Sequence, residues 1–343
     1  MKQIKNSQRR GANQQRVIAL LAAITFAVAV FSLGLGQYHL PLIKILQILQ
    51  MPFFDNRAAF SVTEHNIIWT VRMPRVLMAF CAGSALALSG ATLQGVFHNP
   101  LVDPHIIGVT SGAAFGGTLA ILLGLSPWFL IASTFSWGLA ALLLVYAVAW
   151  FIGHGNRMIL VLAGVLLSGF FSALVSLVQY LSDTEETLPN IVFWLMGSFA
   201  TANWHKLLIV SSVLLVVGSL LLRLRWRINL LSLGEKQAQT LGVSIKGIRW
   251  LVLILCALVV AAQVAVSGSI GWIGLVIPHL ARFIVGSDHR YLLPTSLLLG
   301  GTFMIIVDDV ARTLTSAEIP VGILTALLGV PMFAILLLKT YRR

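Results

Sequence analysis

The chain has 343 residues, of which 58% are hydrophobic and only 10% charged. Soluble domains carry about 25% charged residues, so this polypeptide has too little polar surface for a solvated globule, and the bilayer must be its main solvent. The net charge of +12 would point to nucleic acid in a soluble protein. In a membrane protein it reports Lys and Arg held in cytoplasmic loops, so no nucleic-acid partner is expected.

The start, MKQIKNSQRRGANQQR, resembles the n-region of a signal peptide. The apolar run from Val17 to Gly36 is too long for an h-region and lacks a small-x-small cleavage site. It is expected to be a retained first span behind a cytoplasmic tail at 1–16. Residues 37–71 then form an outer segment whose stretch Pro41–Gln50 is amphipathic and suited to the membrane surface. Charge-poor windows follow at 72–92, 107–125, 129–152, 158–182, 205–222, 246–267, 272–287, 292–312 and 321–339. With the first, these predict about ten transmembrane helices, since about 20 apolar residues span the roughly 30 Å hydrocarbon core. An even number of spans places both termini on one side. The N-terminus has five Lys and Arg, the segment from Arg223 to Arg249 six and the C-terminus three, which puts both termini in the cytoplasm. The expectation is an all-α polytopic membrane protein with one permease-like domain over 1–343.

Between these spans lie four blocks that carry information. The first opens with Arg72-Met73-Pro74-Arg75, runs through apolar and small residues, and breaks at Asn99-Pro100-Leu101-Val102-Asp103-Pro104. The arginines belong at one membrane face and the proline-locked break at the other. Pro100 biases Asn99 away from the helical region, so a stiff turn is expected there. The second block, 223–249, contains Gly234, Glu235, Ala238, Leu241 and Gly242; the two glycines can bound a helix of about two turns. It is either a solvated loop or a helix that docks into a cytoplasmic partner. The third runs from Gly268 through Pro278-His279 to Arg282 and on to Arg290, and Pro278-His279 faintly echoes Pro104-His105. The fourth holds Asp308, Asp309 and Arg312, followed by Glu318 and Pro331. Asp308 and Arg312 stand four apart on a helix and are expected to pair near its outer end.

Other chemistry is missing. There is no G-x-x-x-x-G-K-[ST] nucleotide loop, and the eight histidines form no H-x-x-x-H pair for a metal. Cys81 and Cys256 lie in apolar runs and read as small buried hydrophobes rather than a disulfide. The chain is not expected to be an enzyme by itself, nor to hold a cofactor or metal.

The R-x-P-R…N-P-L-x-x-P stretch, the L-G-x-x-x-A-x-x-L-G-V loop, the G-L-x-x-P-H-x-x-R block and the D-x-x-A-R…P-x-G-x-x-T-A block resemble the permease subunit of a type II ABC importer. The family is that of iron-siderophore, haem and cobalamin uptake, with relatives that carry molybdate or tungstate. The resemblance implies a BtuC-like permease fold in the bacterial inner membrane and a homodimer around one path. It also implies two ATP-binding-cassette ATPase subunits, which bind ATP and Mg, and a periplasmic substrate-binding protein. Carried over residue by residue, it assigns Arg72, Arg75 and Arg312 to binding-protein docking. It assigns Asn99, Pro100 and Leu101 to a cytoplasmic gate, and Gly234, Glu235, Ala238, Leu241 and Gly242 to the ATPase cleft. The expected cargo is a metal chelate, with an oxyanion as the alternative. Asp309 departs from the pattern, which has one acid at that place. A more distant reading is a secondary transporter driven by protons through Asp308 and Asp309.

Overall fold

The computed structural model describes residues 2–36, 38, 40–50, 61–153, 157–231 and 245–341. Among them every regular element is helical: α1 (Lys2–Ser32), α2 (Leu42–Gln50), α3 (Val62–Asn66), α4 (Met73–Phe97), α5 (Val109–Leu122), α6 (Pro127–Gly153), α7 (Arg157–Leu181), α8 (Thr187–Leu195), α9 (Trp204–Leu231), α10 (Ile245–Ser267), α11 (Ile273–Val285), α12 (His289–Thr313) and α13 (Val321–Tyr341). Eight helical stretches are long and apolar enough to cross a bilayer, and α5 and α11 are shorter apolar helices. Together they account for the ten windows expected from the sequence.

The departures are in length. α5 has 14 residues and α11 has 13, about 21 and 20 Å at 1.5 Å per residue. Neither reaches across about 30 Å of hydrocarbon, so irregular chain precedes each of them inside the protein. Such backbone is tolerated only where protein or a water-filled cavity covers it. The expected tail at 1–16 is helical from Lys2 onward and belongs to α1. The expected loop at 223–249 is narrower, because α9 continues to Leu231 and α10 begins at Ile245.

Helix α4 is the centre of the bundle. With α3 and a π-helical segment, Ile67–Arg72, it forms a continuous 36-residue helix, Val62–Phe97, and 89% of its most apolar window is buried. Its glycines explain how a helix so surrounded can pack. A Cβ on Gly83 would lie 2.1 Å from the Gly300 carbonyl oxygen of α12, and one on Gly90 would lie 1.9 Å from that of Gly274 of α11. The helices therefore touch backbone to backbone, the close approach that small residues permit where lipid offers no hydrophobic driving force. By contrast α6, α7 and α13 are mostly unburied in their apolar windows, and Phe151 and Tyr180 are both 85% exposed.

Cross-helix contacts fix the directions. Arg75 meets Asp308 at one end of the α4–α12 pair, and Gly95 packs on His289 at the other, so the two run antiparallel. α1 runs parallel to α12, since Gln14 donates to the Val285 carbonyl, Thr25 meets Thr302, and Ser32 reaches Asp309. The three arginines and three acids of the first and last blocks, Arg72, Arg75, Arg312, Asp308, Asp309 and Glu318, thus gather at one end of the bundle, and the Asn99 turn lies at the other.

Candidate functional site: the two ends of helix α4

Pro74 sits in the first turn of α4 and has no N–H for the Thr70 carbonyl, so the regular i→i−4 ladder cannot run through it. The helix loosens there into the π-helical turn Ile67–Arg72, a widening common at functional places. Arg72 ends that turn and Arg75 follows one turn later, yet they reach different partners. Arg72 donates to the carbonyls of Leu33, at 2.7 Å, and of Tyr38. Arg75 clamps the Asp308 carboxylate through Nε and Nη2 at 2.9 and 2.8 Å. On its other edge Nη1 and Nη2 donate to Glu318 at 2.7 and 3.0 Å.

Arg312 completes the cluster from α12. It donates to the carbonyls of Ser32 and Leu35, at 2.6 and 2.9 Å, and to the Asp309 carboxylate. Asp309 also accepts from the Ser32 hydroxyl at 2.6 Å. The pair expected from i,i+4 spacing, Asp308 with Arg312, exists only at 3.8 Å. The role of the additional acid follows: Asp309 takes Arg312 and leaves Asp308, 1% exposed, to Arg75.

Arg72, Arg75 and Arg312, placed at one membrane face by the sequence and assigned to docking by the resemblance, do not stand open to solvent. They are instead 5%, 7% and 7% exposed, and each has partners within the chain. The physical reason is the cost of an unpaired charge in an apolar protein interior. Sequence spacing could not foresee Arg75–Glu318, whose members are 243 positions apart, nor the reach of Ser32.

At the other end the chain leaves α4 by local means. His98 takes a left-handed conformation, φ 53°, as the C-cap, and Asn99 donates its N–H to the Gln94 carbonyl. The Asn99 Oδ1 accepts from the Leu101 N–H at 2.9 Å, and the Asp103 Oδ1 accepts from the His105 N–H at 2.8 Å. Two Asx-type turns around Pro100 and Pro104 therefore replace a helix, as the proline spacing implied. Asn99, Pro100 and Leu101 are all exposed.

Leu101 borders an open cavity of about 340 Å³ together with Asp103, His105, Gly271, Trp272 and Leu275. Trp272 has φ 71°, a rare state for a bulky residue and one that costs of order 1–3 kcal/mol. Its backbone carbonyl starts α11 by accepting from Val276 at 2.9 Å. Its side chain lies close to Gly329 of α13, where an added Cβ would come within 2.7 Å of Trp272 Cβ. The echo between Pro104-His105 and Pro278-His279 is not structural: the first opens a 3₁₀ turn before α5, the second lies inside α11. Nearby, the Gln94 Oε1 accepts from Arg282 at 2.6 Å, and Asn229 links Asp288 to His289. Gly234, Glu235, Ala238, Leu241 and Gly242 lie outside the described residues.

A buried ion cluster at one end of a polytopic helix bundle and a proline-stiffened turn beside a cavity at the other make sense in a membrane transporter. The family comparison agrees. The profile of the FecCD transport family matches residues 23–339. The chain is 54% identical over 327 residues to the molybdate import system permease protein MolB of Haemophilus influenzae, covering 95% of each. It is 40% identical over 295 residues to the hemin transport system permease protein HmuU of Yersinia pestis, covering 82% of this chain and 87% of the relative. A solved inward-facing conformation of a metal-chelate type ABC transporter superposes with a TM-score of 0.86 at 51% identity, over 95% of this chain and 99% of that one. Members of this family are permeases that work with ATPase and substrate-binding subunits. The chain therefore belongs to the FecCD transport family and is a multi-pass membrane permease of an ABC importer.

Proposed function

We propose that this permease forms a homodimer with two ATPase subunits and moves an oxyanion of the molybdate or tungstate type, delivered by an external binding protein. The observation that favours this cargo is the 54% identity to MolB across 95% of both chains, against 40% to the hemin permease. A metal chelate is the second reading, favoured by the metal-chelate type transporter at 51% identity. Pairing of both acids with arginines speaks against proton relay through Asp308 and Asp309. ATP and Mg would be bound by the partner ATPase, which is expected to engage Gly234–Gly242 from the cytoplasm. Uptake into vesicles holding the whole complex and its cognate binding protein discriminates the cargoes. ATP-dependent uptake of molybdate, with none of ferric siderophore, haem or cobalamin, is the expected result; the reverse pattern would restore the chelate.

The role proposed for Arg72, Arg75 and Arg312 is docking of acidic residues on the binding protein, altered by what the geometry requires. Arg75 already holds Glu318, whose side chain is 37% exposed while the guanidinium is 9% exposed. An incoming carboxylate must take the place of Glu318. Next to it in the chain, Val321 and Gly322 donate their N–H groups to the carbonyls of Gly197 and Met196 at 3.0 and 2.9 Å. Displacing Glu318 would therefore pull on the junction of α13 with the turn after α8. At the opposite end Asn99, Pro100 and Leu101 are proposed as the gate beside the Trp272 cavity. Access would alternate between the two ends as docking and ATP binding bias one two-state assembly.

A further inference from the structure

A second cavity, of about 270 Å³, lies between the starts of α6 and α9, with α8 and the end of α10 as its other walls. It is on the Arg75 side of the bundle, because the Trp204 indole at the start of α9 donates to the Trp69 carbonyl of the π-helical turn at 2.8 Å. Its lining combines apolar Leu130, Ile131, Phe193 and Trp194 with polar groups from Asn190, Ser198, Thr201, Lys206 and Ser267. The Lys206 ammonium donates to the Thr201 hydroxyl at 2.7 Å. Among the described residues no carboxylate stands within ion-pair distance of it. Lys44, at the same end of the bundle, is paired with Glu64 at 2.7 Å, so an uncompensated lysine is not the rule there.

The cavity stands at the level of the membrane interface. Trp128, 60% exposed, meets the His205 ring edge-on at 6.1 Å, and exposed Trp side chains mark headgroup depth. One turn further along α9, Leu208 and then Leu215 turn 62% and 72% of their surface outward, toward the hydrocarbon. We propose that this cavity binds an anionic phospholipid, with its headgroup phosphate on Lys206 and Thr201 and an acyl chain against Leu130, Ile131 and Phe193. A phosphate matches the unpaired ammonium and the hydroxyl beside it. The apolar walls require a chain as well, because a free phosphate would leave them facing water or empty.

The test uses the full-length permease in its assembled complex. Samples in nanodiscs of phosphatidylcholine and phosphatidylglycerol in equal parts are delipidated stepwise, and retained lipid is counted by native mass spectrometry. Wild type should keep phosphatidylglycerol over phosphatidylcholine by about fivefold, the range of one partly exposed ion pair. Lys206→Arg and Lys44→Gln should keep that preference, whereas Lys206→Gln and Lys206→Glu should lose it. Three results overturn the proposal: no preference in wild type, a preference intact in Lys206→Glu, or displacement of the lipid by inorganic phosphate alone. The wild-type measurement is decisive even if a Lys206 variant fails to assemble.

Discussion

The two ends of α4 are built by opposite means. At the Arg75 end the order comes from residues 233 and 243 positions away in the chain, brought together as buried ion pairs. At the Asn99 end the bonds made by Asn99 and by the Asp103 carboxylate join residues at most five positions apart. There Asn99, Pro100 and Leu101 stay exposed, while Val102 and Asp103 are buried and His105 reaches the Ile270 carbonyl. A buried pair is rigid and costly to open, since removing one partner leaves a charge without water. A proline-stiffened turn takes its shape mainly from local bonds, and its Asn99–Leu101 tip can stay solvated while its surroundings move. One end suits a latch that must be deliberately released, the other a rim that changes neighbours.

The largest effect is expected from Arg75→Ala, which strands Asp308 at 1% exposure. Loss of one partner of a buried pair costs about 3–5 kcal/mol, enough to lower the melting temperature by many degrees or to prevent assembly. Arg75→Met with Asp308→Leu should recover much of the loss, because a packed apolar pair can replace a buried ionic one. Thermal unfolding in detergent compares the three proteins, and a single variant as stable as wild type would mean that the cluster is solvated.

Next come the helix crossings that hold α4 in place. Gly83→Ala should destabilise by about 1–3 kcal/mol through overpacking, as its Cβ would meet the Gly300 backbone at 2.1 Å. Gly169→Ala, with nothing within 4 Å of an added Cβ, should be neutral or slightly stabilising. Equal behaviour of the two in unfolding assays would refute backbone contact at the α4–α12 crossing.

A smaller change is expected from Glu318→Gln. Removing the internal competitor should tighten binding-protein docking by about 0.2–1 kcal/mol, up to about fivefold, with stronger salt dependence, because docking then forms a net new ion pair. Affinities at low and high salt read this directly. If Arg312→Glu abolishes docking while Glu318→Gln leaves it unchanged, the arginines dock without displacement of Glu318.

At the Asn99 end, Asn99→Ala removes the acceptor of the Leu101 N–H. Stability should fall by about 0.5–1.5 kcal/mol at most, whereas the ratio of cargo moved to ATP hydrolysed should drop if the turn is the gate. Unchanged coupling would move the gate elsewhere.

The smallest effect concerns Asp288, the N-cap of α12. Burial pushes its carboxylate up, but hydrogen bonds from the Arg290 side chain and backbone and from Asn229 outweigh it and hold the group at about 2. A depressed folded value contributes stability above the unfolded value of about 3.9 and loses it as pH falls through the folded one. The difference in melting temperature between wild type and Asp288→Asn should be constant from pH 8 to about 5 and shrink below about 4. A difference that varies between pH 6 and 8 would assign the cap's titration to another group.

The class of solvent, the ten apolar segments, the break after α4 and the family were all legible in the chain. These follow from composition, hydropathy and proline geometry, which act over one to twenty residues and need no partner. The sequence also placed Arg72, Arg75 and Arg312 at one end of the spans, but offered a partner only for Arg312, and that partner was Asp308. The packed bundle adds that Glu318, Asp309 and Ser32 close around them, that α5 and α11 fall short of the bilayer, and that Trp272 is held left-handed against Gly329. The reason is common to all of them. A charge inside an apolar bundle takes whichever counter-charge the packing brings near, and a helix stops where its neighbours leave room for other backbone. Neither is encoded in local spacing, and both are decided by which helices touch.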